Sequence, residues 1–165
     1  MFTSISPYEM QDNVFSAVGK DWMLLTAGNR DGFNTMTVSW GFMGVIWRDP
    51  TVEVFVRPQR YTREFMDSGD IFTLSVLPEA YRDALNLCGT KSGRDVDKCR
   101  EAGLTPVFDR DGVYFREARL VLVCRKIYTD EIRPEGFLDG SIPSHYSLQD
   151  YHKIYFGKIL DVLVK

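Results

Sequence analysis

Six or seven short runs of this chain have the apolar patterning of β-strands, most of them alternating, and only brief helical stretches separate them. A period of two puts one side of each run inward and the other outward. "TMTVSW" (35–40) and "TVEVFV" (51–56) alternate, while "WMLLTAGN" (22–29) and "IFTLSVL" (71–77) are richer in apolar residues. "GFMGVIW" (41–47) is apolar with two glycines, and "RDP" closes it. "GVYFREARLVLVCRKIYTDEI" (112–132) reads as one long or two abutting strands, and "KIYFGKILDVLV" (153–164) closes the chain with Gly157 at a bulge. No strand–helix–strand unit repeats. The pattern therefore predicts a mainly β fold, a closed and mostly antiparallel barrel with short flanking helices. No internal repeat, linker or low-complexity tract interrupts residues 1–165, which are expected to form one domain. That length buries a core without disulfides or a metal.

Helix signals are local. Ser6, Pro7 and Glu9 spell a capping box with proline in the first turn, predicting a short helix that ends near Gly19. Asp31-Gly32 marks the turn between the strands at 22–29 and 35–40. Residues 60–67 read as a helix capped by Thr62 and stopped by Gly69, and 78–88 as another stopped by Gly89. "TKSGRDVDKCREAG" (90–103) is a polar loop entering a further short helix, and 135–152 is an excursion loop with little periodicity.

Composition limits the function classes. A net charge of −3 gives no overall pull toward nucleic acid or membrane, so an anion site must be local. No apolar run approaches a membrane span, and "MFTSISPYEM" lacks the charged and apolar regions of a signal peptide, so a soluble cytoplasmic protein is expected. The three cysteines lack metal-site or redox-motif spacing. Cys124 reads as core, whereas Cys88, before a glycine loop, is a semi-exposed position where a redox role stays open. Two histidines, His145 and His152, are too few for a metal site.

The informative stretch is "FVRPQRYTREF" (55–65). Arg57 ends a strand, Pro58 turns the chain, and Arg60, Tyr61 and Thr62 lead into a helix. Arginine forks beside a helix start suit phosphate oxygens. Thr90, Lys91 and Ser92, in "GTKSG", form a second candidate anion site, where the backbone presents amides and the lysine adds a point charge. Either stretch also reads as ordinary solvated surface. "NTMTVSW" adds a third element: Thr35, Thr37 and Ser39 alternate with Met36, Val38 and Trp40. A hydroxyl face inside a barrel needs polar partners, which a flat ligand with ring carbonyls and nitrogens would supply.

Taken together, "NTMTVSWGFMGVIWRDPTVEVFVRPQRYTREFMDSGDIFTLSVL", "LNLCGTKSGRDVDK" and "YHKIYFGKI" resemble the flavin reductase-like, FMN-binding split-barrel family, close to its flavoredoxin branch. The resemblance implies a Greek-key split barrel that dimerises, with one FMN per subunit near the dimer interface. It implies that "TMTVSW" lies beside the flavin ring, with backbone groups of Met36, Thr37 and Val38 at its polar edge. It places Arg57, Arg60, Tyr61 and Thr62 around the phosphate, and Thr90, Lys91 and Ser92 along the ribityl-phosphate tail. Many flavin reductases that reduce free flavin for a monooxygenase carry a histidine-containing segment where this chain has "RPQRYT". Tyr61 after Arg60 therefore points toward the branch in which FMN stays bound.

In such a protein the flavin carries the redox chemistry and the polypeptide supplies binding, ring electronics and access. No catalytic side chain is then required. No Gly-rich dinucleotide fingerprint occurs, so NADH or NADPH would stack over the flavin. Tyr146, Tyr151 and Tyr155 either contribute to that surface or pack ordinarily, and His152 either approaches the ring or lies at a surface or interface. The reading is an FMN-dependent, nicotinamide-linked oxidoreductase serving a small-molecule or protein redox partner. The alternative is a non-catalytic electron carrier of the flavoredoxin type, fed by a protein donor, with a flavin store or sensor behind it. Apolar residues on both faces of 153–164 point to a homodimer.

Overall fold

The computed structural model describes residues 1–165. Its eight-stranded antiparallel sheet holds β1 (Thr3–Ile5), β2 (Met23–Asn29), β3 (Gly32–Val38), β4 (Gly41–Ile46), β5 (Asp49–Val56), β6 (Ile71–Val76), β9 (Leu120–Glu131) and β10 (Lys153–Val164). The pairing order is β3-β2-β6-β9-β10-β5-β4, with β1 on β10. The β9/β10 hairpin is thus inserted between β5 and β6, the Greek-key interleaving expected. β3 and β4 follow one another in the chain yet do not pair, so the barrel is open along that seam. β7 (Pro106–Asp109) and β8 (Gly112–Phe115) form a separate hairpin.

Alternation sorts the core into two layers. Along β9, Leu120, Leu122 and Cys124 point into the barrel with Leu25, Leu74, Val54 and Tyr155. Val121 and Val123 point outward, against Leu24, Leu85, Phe115 and Cys88. This outer layer lies under α3 (Arg82–Thr90), α4 (Lys98–Ala102) and the β7–β8 hairpin. Both faces of β9 are covered, which is why "LVLVC" reads as a continuous apolar run. α2 (Thr62–Ser68) is tied to the barrel at its far end. Lys126 Nζ donates to the carbonyls of Met66 and Gly69, and Tyr155 donates to Asp67 at 2.6 Å.

Several local expectations change. The capping box at Ser6 and Glu9 forms, but it opens a single 3-10 turn. The helix expected to run to Gly19 is broken into α1 (Val14–Ser16) and a π turn over Ala17–Asp21. Asn13 caps α1, so the chain restarts its helix after the first turn. Trp22 then adopts φ 65°, ψ 165°, a conformation nearly reserved for glycine. β3 begins at Gly32, so Arg30 and Asp31 make the turn, and β3 ends at Val38, before Ser39 and Trp40. Thr62 does not cap α2: Tyr61 holds the cap position without a side-chain bond. The Thr62 hydroxyl instead accepts from Asn34 Nδ2 at 2.8 Å. Residues 112–132 are two strands belonging to two sheets, and β1 and β7 were too short to show a period.

Gly157 sits at a register shift between β9 and β10, the expected bulge. A Cβ there would lie 2.3 Å from Phe72 Cζ in the barrel interior. Gly157→Ala should therefore destabilise the fold by about 1–3 kcal/mol through overpacking. Urea unfolding reads this as a lower midpoint at unchanged slope; an unmoved midpoint would show that the bulge relaxes freely.

Candidate functional site

The open seam exposes the outer edge of β3. Lys98 Nζ donates to the Thr35 carbonyl at 2.7 Å, so the polar groups of Thr35 face away from β2. In an antiparallel strand every second residue presents its N–H and C=O on the same edge. Thr37 therefore faces outward too, into a cleft of about 200 Å³ lined by residues 36–40 with Phe55, Arg57, Arg60 and His152. The cleft offers unpaired backbone donors and acceptors along one wall and aromatic surface from Trp40 and Phe55 on another.

The hydroxyls of β3 are used otherwise than expected. Thr35 Oγ1 is buried against Thr26 Oγ1 at 2.9 Å and the Leu25 carbonyl. Thr37 Oγ1 donates to the Leu85 carbonyl of α3 at 2.5 Å. Protein atoms satisfy the polar face of β3, and what remains free is its backbone edge. Thr35 does not line the cleft, whereas Met36, Thr37, Val38, Ser39 and Trp40 all do.

A second hollow, about 190 Å³, adjoins through Arg60. Tyr61 and Thr62 line it from the start of α2, and Thr90, Lys91 and Ser92 from the end of α3. Three residues that the sequence did not single out complete it: Asn34, Gln59 and Lys98. Arg60 donates to the Gly89 and Cys88 carbonyls, at 2.6 and 3.2 Å, and Lys98 to the Cys88 carbonyl at 2.9 Å. Both cations thus rest on the carbonyl end of α3, where the helix dipole favours positive charge. Burial lowers the Lys98 pKa from 10.5 to about 8, and the nearby Arg60 charge pushes the same way. Lys98 keeps one of its three donors beyond the two carbonyls. Three cations and no carboxylate line this hollow. Lys91, half-exposed, pairs with Glu101 at 2.9 Å outside it. Ser92 and Gly93 bend the chain against Asn34: a Cβ on Gly93 would meet Asn34 Oδ1 at 1.9 Å.

Arg57 does not join this group. It lines the cleft along β3, pairs with Asp150 at 2.6 Å and donates to the His145 carbonyl at 2.9 Å, so it ties the excursion loop to the barrel. Cys88 is fully buried, and burial raises its thiol to about 11, so it is no exposed redox thiol. Tyr155 is buried in the barrel and offers no surface.

His152 is buried at the cleft wall, with Nδ1 2.8 Å from the Tyr146 hydroxyl and its ring 5.2 Å from that of Trp40. A lone histidine beside tyrosines carries no spacing signal, which is why sequence alone left its place open. Beyond the cleft a third hollow, apolar and about 660 Å³, shares Ser39, Trp40 and Phe55 with it.

A family model of the flavin reductase-like domain matches residues 15–165. The chain belongs to the flavin reductase-like domain family. None of the curated proteins matches the sequence. Among solved structures, the fold of this flavin reductase-like chain is similar to flavoredoxin from Methanosarcina acetivorans, with TM-score 0.71 and 21% identity over 98% of this chain and 76% of that one. An FMN-binding domain of a flavin reductases-like enzyme from Shewanella baltica OS155 gives TM-score 0.71 and 14% identity over 99% and 77%. A Streptomyces globisporus C-1027 NADH:FAD oxidoreductase gives 0.64 and 16% over 88% and 75%. The fold is the split barrel, and no helix is long and apolar enough to cross a membrane.

Burial, helped by the Arg57 charge, depresses the His152 pKa from 6.5 to about 4. The unfolded chain therefore binds this proton first as pH falls. Stability carried by neutral His152 is complete above pH 6.5 and is lost between pH 6.5 and 4, by about 2–3 kcal/mol. Urea titrations across that window should show this loss in the wild type and a smaller one in His152→Gln. Equal slopes would place the acid sensitivity elsewhere.

Proposed function

We propose that this flavin reductase-like chain binds one FMN per subunit and passes electrons through it. The observation that carries the reading is the carboxylate-free hollow at Arg60, Lys91 and Lys98, joined through Arg60 to a cleft that runs along an unpaired strand edge. The first suits a dianionic phosphate. The second suits a flat ring with carbonyl and nitrogen atoms on its rim, which the β3 edge amides and carbonyls would meet. Met36, Thr37, Val38, Ser39 and Trp40 would hold the ring. Arg60, Tyr61, Thr62, Thr90, Lys91 and Ser92 would hold the phosphate and tail, with Lys98 and Asn34 added. Arg57 is assigned to the ring cleft and loop. The similar proteins described as a flavoredoxin and as an FMN-binding domain support the choice of flavin.

When bound, FMN supplies hydride and single-electron chemistry. The chain orients it and, through His152 and Tyr146, places a neutral hydrogen-bonded pair beside the ring cleft. The large hollow next to that cleft leaves room for a second, small molecule, which favours an enzyme that turns over a small substrate beside the ring over a carrier that needs only an exposed edge; the nicotinamide link rests on the family. Reduced nicotinamides are abundant in the cytoplasm, where this reading puts the protein. Steady-state oxidation of NADH or NADPH by the flavin-loaded protein would support the enzyme; transfer only from a protein donor would leave the carrier.

The outer face of β4, β9 and β10 supports a homodimer. Trp47, Tyr128 and Phe156 cluster there with ring centroids 5.2–6.0 Å apart, and Trp47 and Tyr128 are 59% and 45% exposed. Copies joined through this patch would sediment at about 38 kDa, twice the 19.0 kDa chain. Trp47→Ser should shift that mass toward the single chain; an unchanged monomer in the wild type would remove the dimer.

FMN should bind with sub-micromolar affinity, from about 31 heavy atoms at about 0.3 kcal/mol each. Arg60→Ala should weaken FMN by about 1.5–3 kcal/mol and riboflavin much less, because the lost bond is charge-assisted and made to phosphate. Lys98, with its pKa near 8, should take up about half a proton at pH 8 as the phosphate arrives. Calorimetry in buffers of different ionisation enthalpy reads that uptake directly. Equal losses for FMN and riboflavin, with no uptake, would take the phosphate out of this hollow.

A further inference from the structure

The apolar hollow beside the ring cleft has a built wall. Its floor comes from Trp40, Phe42, Met43 and Phe55 on the β4–β5 side, and its rim from Phe15, Val18 and Gly19 on the α1 and π-turn segment. That rim segment is strained and clamped at both ends. Arg119 bridges Asp12 and Asp21, at 2.5 and 3.0 Å. Arg82 donates to the Lys20 carbonyl at 2.7 Å and lies 4.4 Å from the centre of the Trp22 ring. A π turn followed by a tryptophan in a glycine-type conformation is costly, and such features gather where a segment must be held in one place. Here the segment held is the wall of the hollow.

The volume, about 660 Å³, lies within the roughly 300–1,000 Å³ typical of small-molecule sites. Nine of its twelve lining residues are hydrophobic, and none is charged. A phosphate-bearing dinucleotide would find no partner for its charge there. Continuity with the ring cleft through Ser39, Trp40 and Phe55 puts any occupant next to whatever fills that cleft. Tyr146 lines the apolar hollow and His152 the ring cleft, and one hydrogen bond of 2.8 Å joins them across the boundary.

We propose that the apolar hollow seats a planar, uncharged quinonoid molecule, which is the acceptor of the electrons carried in the ring cleft. The role as acceptor rests on the flavin reading above; the seat itself does not. For a quinone the balance is simple. A hydride taken from bound reduced FMN, which would be left oxidised, would add to the quinone and give the hydroquinone monoanion, and one proton from solvent, passing the Tyr146–His152 pair, would complete the hydroquinone.

Gly19 allows a clean test. It lines the hollow, its φ is not positive, and a Cβ there meets nothing within 4 Å. Gly19→Leu should therefore fill the seat without disturbing the fold, and Phe42→Ser removes an aromatic side chain that is 63% exposed. The probe is 2-naphthol, titrated by calorimetry into the cofactor-free chain. Both variants should lose at least about tenfold in its affinity, while their FMN affinity stays within about twofold of the wild type. A doubly charged naphthalene disulfonate should bind at least about tenfold more weakly than 2-naphthol. With prereduced, flavin-loaded protein, stopped-flow reoxidation by 1,4-naphthoquinone should slow at least about tenfold in Gly19→Leu. Naphthol binding that ignores both substitutions would overturn the proposal. So would the absence of naphthol binding together with a shift in sedimenting mass on Gly19→Leu, since a second copy of the chain would then occupy the hollow. Naphthol binding that depends on Gly19 in a protein that fails to bind FMN would keep the seat and remove the flavin reading.

Discussion

An antiparallel barrel that fails to close leaves an edge, and the backbone groups on that edge must find partners. In this chain the edge is β3. Its far end is satisfied internally, by Lys98 on the Thr35 carbonyl. Its near end, at Thr37, is left facing a cleft. The same side chains that hold α3 against the sheet, such as Thr37 bonded to the Leu85 carbonyl, keep that edge straight and exposed. The gap between two strands adjacent in sequence is thus what leaves ordinary backbone open to a cleft.

The cations follow from the same geometry. Arg60 and Lys98 converge on the carbonyls of Cys88 and Gly89, at the end of α3. Those carbonyls share the charge but do not neutralise it, and burial still drags Lys98 toward neutrality. An anion in the adjoining hollow would relieve that cost. A folded protein carrying uncompensated positive charge in a cavity is therefore a better indicator of an anionic ligand than the same arginine and lysine counted on a surface. Arg94 makes the contrast: it is substantially exposed and paired with Glu64.

The excursion loop contributes through contacts that no periodicity announces. Arg57 reaches from the end of β5 to Asp150 and to the His145 carbonyl. His152 is drawn under Trp40, and Tyr146 stacks on Phe137 with ring centres 5.8 Å apart. Residues 133–152 have only two short 3-10 turns of their own. They owe their position to these polar and aromatic anchors rather than to a strand or helix pattern.

By itself, the sequence determined most of the strands, β1 and β7 excepted, because alternation and turn residues act over a few positions, and it determined the bulge at Gly157 for the same reason. It also singled out the stretches at 60–62 and 90–92 that line one hollow, since arginine, lysine and glycine at helix ends declare their chemistry locally. What it could not determine was which groups of β3 would be left free. The hydroxyls of Thr35 and Thr37 looked available in the alternating pattern, but α3 and β2 consume them. Nor could it add Lys98 and Asn34 to the hollow at Arg60, move Arg57 out of it, or bury His152 beside Tyr146. Each of these depends on residues tens of positions apart being brought into contact by the barrel. Hydrogen-bond partners and burial at such separations are properties of the closed chain, and only the tertiary structure decides them.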